Sequence, residues 1–149
     1  MNQPFITALS IIATLAVSGP VLAEQPGHVQ QLLVTQKCSG CDLSGADLSQ
    51  AHLIGADLRN ANLQGAKLVE ANLEGADLTD ANLQGANLSQ AFLTNASLNG
   101  ANLDQVNLSE AHLYSVEMQG ISIQNANLAG VKGYKPATYV GGTPYADRN

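Results

Sequence analysis

Cys38-Ser39-Gly40-Cys41 is the one short stretch of this chain whose residue types carry redox or metal chemistry. A C-x-x-C pair serves as a disulfide, a dithiol catalyst or half of a metal site, and each use needs different company. Zinc takes four ligands, and His28, His52 and His112 are not spaced to complete a set with two thiols. Haem attachment needs a histidine directly after the second cysteine, where this chain has Asp42. A dithiol catalyst belongs to a βαβ setting, whereas two cysteines in an exported chain are most simply a staple. No Ser-His-Asp grouping, glycine-rich phosphate loop or convergent acid-base pair stands out, so neither an enzyme nor a bound cofactor is expected. Three Asn-x-Ser triplets, at Asn87, Asn95 and Asn107, are by-products of a sequence rich in both residues.

The 149 residues amount to one domain, and the net charge of -6 with a pI near 4.7 argues against a nucleic-acid binder. Residues 1–23 read as a signal peptide: an apolar stretch from Phe5 ends in Val21-Leu22-Ala23, with small residues where a signal peptidase cuts. The region before it has no Lys or Arg, which leaves an uncleaved anchor as the alternative. After cleavage no segment is suited to crossing a bilayer.

What must position everything else is a period of five. From Cys41 to Gly130 the chain divides without a gap into eighteen five-residue blocks, whose third residue is Leu in all but Met118 and Ile123. The first residue is Ala except at Cys41, Val106, Val116 and Ile121. On a helix, positions five apart drift by about 140° and form no stripe. In a straight strand an odd spacing sends successive leucines to opposite faces. A chain that turns a corner after each block brings every first and third residue onto one axis. Glycines at Gly45, Gly55, Gly65, Gly75, Gly85, Gly100, Gly120 and Gly130, with Asn60, Asp80, Asn95 and Asn125, supply residues that tolerate such corners.

The tandem A(D/N)LXX blocks resemble the pentapeptide-repeat family over about 90 residues. The resemblance implies an all-β solenoid, a right-handed quadrilateral β-helix with four blocks per coil, hence about 4.5 coils for 18 pentapeptides. Ahead of the array, residues 24–40 read as a linker and a short capping helix, with Val29, Leu32, Leu33 and Gln36 at helical spacing and facing the first coil. Residues 131–149 read as an irregular tail, with Tyr134 or Tyr139 folded over the top. With Cys41 at an inward position, a Cys38–Cys41 disulfide would tie the cap to the first coil.

With four blocks per coil, residues twenty apart stack in columns. Two walls are amide-rich and structural: Asp42, Asn62, Asn82, Asn102 and Ser122 on the first, Asp47, Lys67, Asn87, Asn107 and Asn127 on the second. The third stacks His52, Asn72, Phe92 and His112, with Ile54, Glu74, Thr94 and Tyr114 beside them. Its exposed aromatics and isoleucine make Phe92, Tyr114, His112, Ile54 and His52 a candidate interaction patch; the plainer reading has the rings covering neighbouring backbone or the tail tyrosines. His52 and His112 lie three coils apart, too far to share a metal. The fourth stacks Asp57, Asp77, Ser97 and Glu117, with Asp80 at a corner and Arg59 as its only base. One wall does not supply the six or more oxygens calcium takes, so this is a solvated acidic face and no metal is expected.

These readings give a non-enzymatic, exported structural or protein-interaction module whose partner is a protein, with no nucleic acid and, after signal cleavage, no membrane. Short exported relatives with a CxxCDLSGADL-like start imply a periplasm or thylakoid lumen, secretion being a further destination. Another branch of the family implies an alternative: a DNA mimic that inhibits a DNA-binding protein such as gyrase, with Asp57, Asp77, Asp80, Glu117, Glu70 and Glu110 as phosphate mimics. Export and a rod of roughly 22 Å count against it. A redox- or metal-responsive module acting through Cys38 and Cys41 is the second alternative.

Overall fold

The computed structural model describes residues 26–134. From Lys37 onward, the second residue of every block forms a parallel bridge with the residue twenty positions later, the last pair being His112 with Lys132. Five residues per side and twenty per turn make a four-sided solenoid. Among the described residues each side contributes only an isolated bridge, because turns follow at once.

Each corner is fixed by hydrogen bonds that account for the block's five N–H groups. The first residue's N–H donates across the turn to the preceding third residue, as Ala46 to Leu43 at 3.1 Å. The second donates to the coil below (Asn62 to Cys41 O, 2.9 Å), and the third and fifth donate to the coil above (Leu43 to Asn62 O, 2.7 Å; Gly45 to Gln64 O, 2.9 Å). That leaves the fourth. Its N–H is taken by the second residue's own side chain: Asp or Asn Oδ1 accepts from Ser44, Ser49, Glu74, Thr79, Ser89 and Asp104, among others, at 3.0–3.2 Å. The Asp/Asn preference of the second position is therefore a backbone requirement.

The fifth residue of each block is left-handed, from Gly100 at φ 71° to Ser115 at 56°. Glycine and asparagine were expected there, but Gln50, Glu70, Gln90, Gln105, Glu110 and Ser115 adopt the same geometry. Neighbouring hydrogen bonds determine the turn strongly enough to hold a side-chain-bearing residue in a conformation that disfavours it by about 1–2 kcal/mol.

First and third residues fill the axis. From Leu43 to Leu113 no third-position leucine is more than 3% exposed. Val116, Met118, Ile123, Leu128 and Val131 are only half-buried, no further coil lying above them among the described residues, and Tyr134 packs against this end.

The register reaches beyond the expected limits of 41 and 130. Gln36–Gly40 is already a block: Lys37 pairs with Asp57, Cys38 occupies the leucine position fully buried, and Gly40 turns the corner at φ 69°. At the other end Val131-Lys132-Gly133 adds a further level to the third wall.

Helix α1 spans Pro26–Thr35 and ends as Gln36, left-handed at φ 58°, donates its N–H to Leu32 O at 2.9 Å. Leu32 is fully buried and Val29 partly so, but Leu33 is 45% exposed and does not face the coil. The open end of a narrow prism offers room for one large apolar side chain. Polar side chains finish the edge: His28 Nδ1 lies 3.2 Å from Asp42 N, Gln31 Nε2 donates to Lys37 O at 2.8 Å, and Gln36 Nε2 donates to His52 O at 3.0 Å. Among the described residues no helix is long and apolar enough to cross a membrane. The expected signal peptide, residues 1–23, and Tyr139 lie outside the described residues.

Candidate functional site

The third wall is where the chain departs from its own backbone rule. Its column His52, Asn72, Phe92, His112 and Lys132 keeps the turn-capping side chain only at Asn72, which accepts from Glu74 N at 3.0 Å. Elsewhere departures are scattered or compensated. Beside Glu117 and Ser122, the fourth-residue N–H groups of Gln119 and Gln124 donate to Asn99 Oδ1 (2.8 Å) and Asp104 Oδ1 (2.7 Å) on the coil below. Lys67 is the single exception in its column, and Ser97 stands between Asp77 and Glu117 in a column that begins at Lys37.

In place of caps the third wall carries rings. Phe92 and His112 meet edge to face with centroids 4.8 Å apart, and His112 meets Tyr114 at 6.2 Å, nearly perpendicular. Lys132 Nζ stands 3.4 Å from His112 Nε2, closing the upper end. Tyr114 also lies on the next coil: a Cβ on Gly133 would meet its Cδ1 at 2.5 Å. That gives the plainer reading of Tyr114 some substance, yet its ring stays 49% exposed. Phe92 is 37% and Ile54 58% exposed. His52 and Ile54 stand two coils below Phe92 with Asn72 and Glu74 between them, so the trio Phe92, His112 and Tyr114 is the part brought together.

Alongside the rings runs a shallow open groove, lined by the corner residues Gln50, Glu70, Gln90 and Glu110 and by His52, Phe92, His112 and Lys132. Gln50 Nε2 donates to Glu70 Oε2 at 3.0 Å. Lys132 escaped sequence reasoning because the array was ended at Gly130; counting twenty on from His112 would have found it.

The fourth wall is less acidic than its sequence suggests. Arg59 was taken as its only base, but Lys37 stands one coil below Asp57 in the same column. Arg59 clamps Asp57 with both ends of its guanidinium (Nε to Oδ1 2.8 Å, NH2 to Oδ2 2.7 Å) and reaches Asp77 at 3.6 Å. The hydrogen bond from Arg59, helped by the charges of Arg59 and Lys37, holds the Asp57 carboxyl below its ordinary value, and Arg59 is shifted upward in return. Asp80 sits at a left-handed corner with its carboxylate over Gly100, and Glu117 accepts from Asn99 Nδ2 at 2.8 Å. Among the described residues no group of three His, Cys, Asp or Glu side chains is gathered to hold a metal.

Cys38 and Cys41 form a disulfide, with Cys38 fully buried and its sulfur 3.4 Å from His28 O. The link joins an inward third position to the following inward first position, under α1.

The family model described as pentapeptide repeats matches residues 37–75, 56–95 and 93–130. A pentapeptide repeat protein from the thylakoid lumen of Arabidopsis thaliana is similar at 35% identity, over 68% of this chain and 68% of its own, with a TM-score of 0.42. Rfr23 from the cyanobacterium Cyanothece 51142 is 27% identical over 72% of this chain and 93% of its own (TM-score 0.35). HetL, involved in heterocyst differentiation regulation in Nostoc sp. strain PCC 7120, is 28% identical over 65% and 59% (TM-score 0.25). No curated protein matches the chain. The repeat model covers most of the sequence, including the bridge residues from Lys37 to Asn127, and the chain belongs to the pentapeptide-repeat family.

Proposed function

We propose that the protein is a non-enzymatic interaction module, exported to a periplasm or thylakoid lumen, which presents its third wall to a protein partner from a rigid rod of about four and a half coils. The observation that carries this reading is the loss of the Asp/Asn cap at three of the four complete levels of one column, His52, Phe92 and His112. No such side chain serves the N–H groups of Ile54, Thr94 and Tyr114 among the described residues. A local rule broken repeatedly on one wall, with exposed rings as the substitute, fits selection for contact better than selection for folding. The leucine-filled axis supports a non-catalytic role, since it leaves the chemistry to the walls. Export rests on the sequence pattern from Phe5 to Ala23.

Of the alternatives, the DNA-mimic reading needs an evenly negative wall, and Lys37 and Arg59 interrupt the acidic column at its base. The redox-responsive reading needs accessible sulfur, and both cysteines are at most 5% exposed. The test is capture from the exported fraction with wild type and a Phe92→Ser/Tyr114→Ser variant. Serine already stands at second positions in Ser97 and Ser122 and at fourth positions in Ser49 and Ser89, so the fold tolerates it at both sites. Partners held by wild type and lost by the variant are expected; recovery of the same proteins by both would remove the third wall from the proposal.

A further inference from the structure

The third wall has a charge as well as a shape, and together they specify what it takes. Phe92 stands between Glu70, one coil below, and Glu110, one coil above, both on the corner that borders the groove. At about 4.8 Å per coil the two corner backbones are roughly 10 Å apart with the exposed ring at the level between them, Glu70 reaching down to Gln50 and Glu110 lying against Gly130 on the coil above. Neither is neutralised from within. The ion pairs among the described residues use Asp47, Asp57 and Asp77 on other walls, and no base lies within 4.0 Å of Glu70 or Glu110. Lys132, the base nearest this wall's rings, is turned to His112. Among the described residues the groove's charged lining is Glu70 and Glu110 against the single base Lys132, so it carries a net negative charge.

We infer that the third-wall groove binds an arginine-bearing segment of a protein partner, a guanidinium stacking on Phe92 while it pairs with Glu70 or Glu110. This rests on the third wall being a protein contact. Guanidinium is the fitting cation because it is planar, stacks on aromatic faces and meets carboxylates with paired donors, whereas an ammonium does only the charge part. Ring and carboxylates line the same groove here. The groove from the Gln50 level to Lys132 spans four coil spacings, about 19 Å, which an extended segment of about six residues covers.

Glutamine is the residue this chain itself uses at the same corners, in Gln50 and Gln90. Glu70→Gln/Glu110→Gln therefore removes charge while keeping side-chain length, the left-handed corner and an acceptor for Gln50. The probe is a fluorescein-labelled hexapeptide alternating serine with arginine, read by anisotropy against the purified protein, with lysine and glutamate counterparts. The arginine peptide should bind, weaken as salt is raised, and lose roughly tenfold in affinity with either Glu70→Gln/Glu110→Gln or Phe92→Ser. The lysine peptide should bind more weakly, and Glu117→Gln on the fourth wall should change nothing; circular dichroism melting confirms that each variant is folded. Absence of binding by the arginine peptide, equal binding by the lysine peptide, or an equal loss from Glu117→Gln each overturns the inference. If the peptide fails while the Phe92→Ser/Tyr114→Ser variant still loses its captured proteins, the arginine assignment falls and the third-wall contact stands.

Discussion

An aspartate or asparagine at the second position of a block caps its own turn with Oδ1, and an asparagine also donates Nδ2 to the Oδ1 on the coil below. Asn62 Nδ2 donates to Asp42 Oδ1 at 3.1 Å, while its own Oδ1 accepts from Gln64 N at 3.3 Å and from Asn82 Nδ2 at 3.3 Å. The choice between acid and amide is then a matter of charge. Hydrogen bonds from Ser44 hold Asp42 below its ordinary value, and those from Ser49 do the same for Asp47, with Lys67 adding a smaller charge effect. A carboxyl whose folded pKa lies below its unfolded value stabilises the fold at pH above about 4, and the contribution is lost as pH falls through the lower folded value. Thermal unfolding of the wild type should therefore shift to lower temperature below about pH 4. Asp42→Asn/Asp47→Asn, which keeps the turn-capping oxygen at both positions, should flatten that acid limb. Melting curves from about pH 6 to pH 2.5 decide it, and parallel acid limbs in the two proteins would show that these carboxylates do not set it.

Helix α1 and the block beside it show how far an element's sequence reveals its place. The five-residue array was legible because leucine and alanine recur without a gap, and any single shift would have broken the pattern. The block at Gln36–Gly40 was not, because its inward third residue is Cys38 instead of leucine and its first is Gln36. Helical spacing likewise placed Leu33 in the contact when Leu32 alone fills the narrow end, the remaining contacts being polar groups bonded to edge backbone. On the third wall the residue types were legible and Lys132 was not, for the array was ended one coil side too early. Read as a block, Cys38 and Cys41 take the places of the leucine and the following alanine, so their linked side chains stand in for an ordinary inward pair. Cys38→Leu/Cys41→Ala should then fold and melt close to wild type and be indifferent to reductant. Wild type should lose stability on reduction by about 2 kcal/mol or less, the worth of closing so short a loop. Chemical denaturation with and without dithiothreitol measures both; a Leu/Ala variant that fails to fold would mean that the crosslink does what packing cannot.

At the scale of the whole molecule, each coil touches only the coils above and below, so stability accumulates along the axis and the period of twenty is a conserved quantity of the fold. Three deletions separate the levels of that rule. Removing residues 61–80 takes out one complete coil and leaves every remaining residue in its column, so the shortened protein should fold, with unfolding at a lower temperature. Removing residues 81–85 preserves the inward first and third positions but rotates the upper coils by one side. The core then survives while the columns are scrambled, placing Phe92 on a wall with different neighbours below it and setting Glu110 and Glu70 on different corners. Removing Gln84 alone puts alanine and leucine out of phase for every block above it and exposes apolar side chains that are now buried. The expected order of thermal stability is the wild type first, then the twenty- and five-residue deletions, with the single-residue deletion far below either. The five-residue deletion also bears on function, because it keeps Phe92 aligned with Glu110 but moves Glu70 to a different corner. It should melt cooperatively and hold the arginine peptide more weakly than wild type, as Glu70→Gln alone should, a result that composition alone cannot produce and column geometry requires.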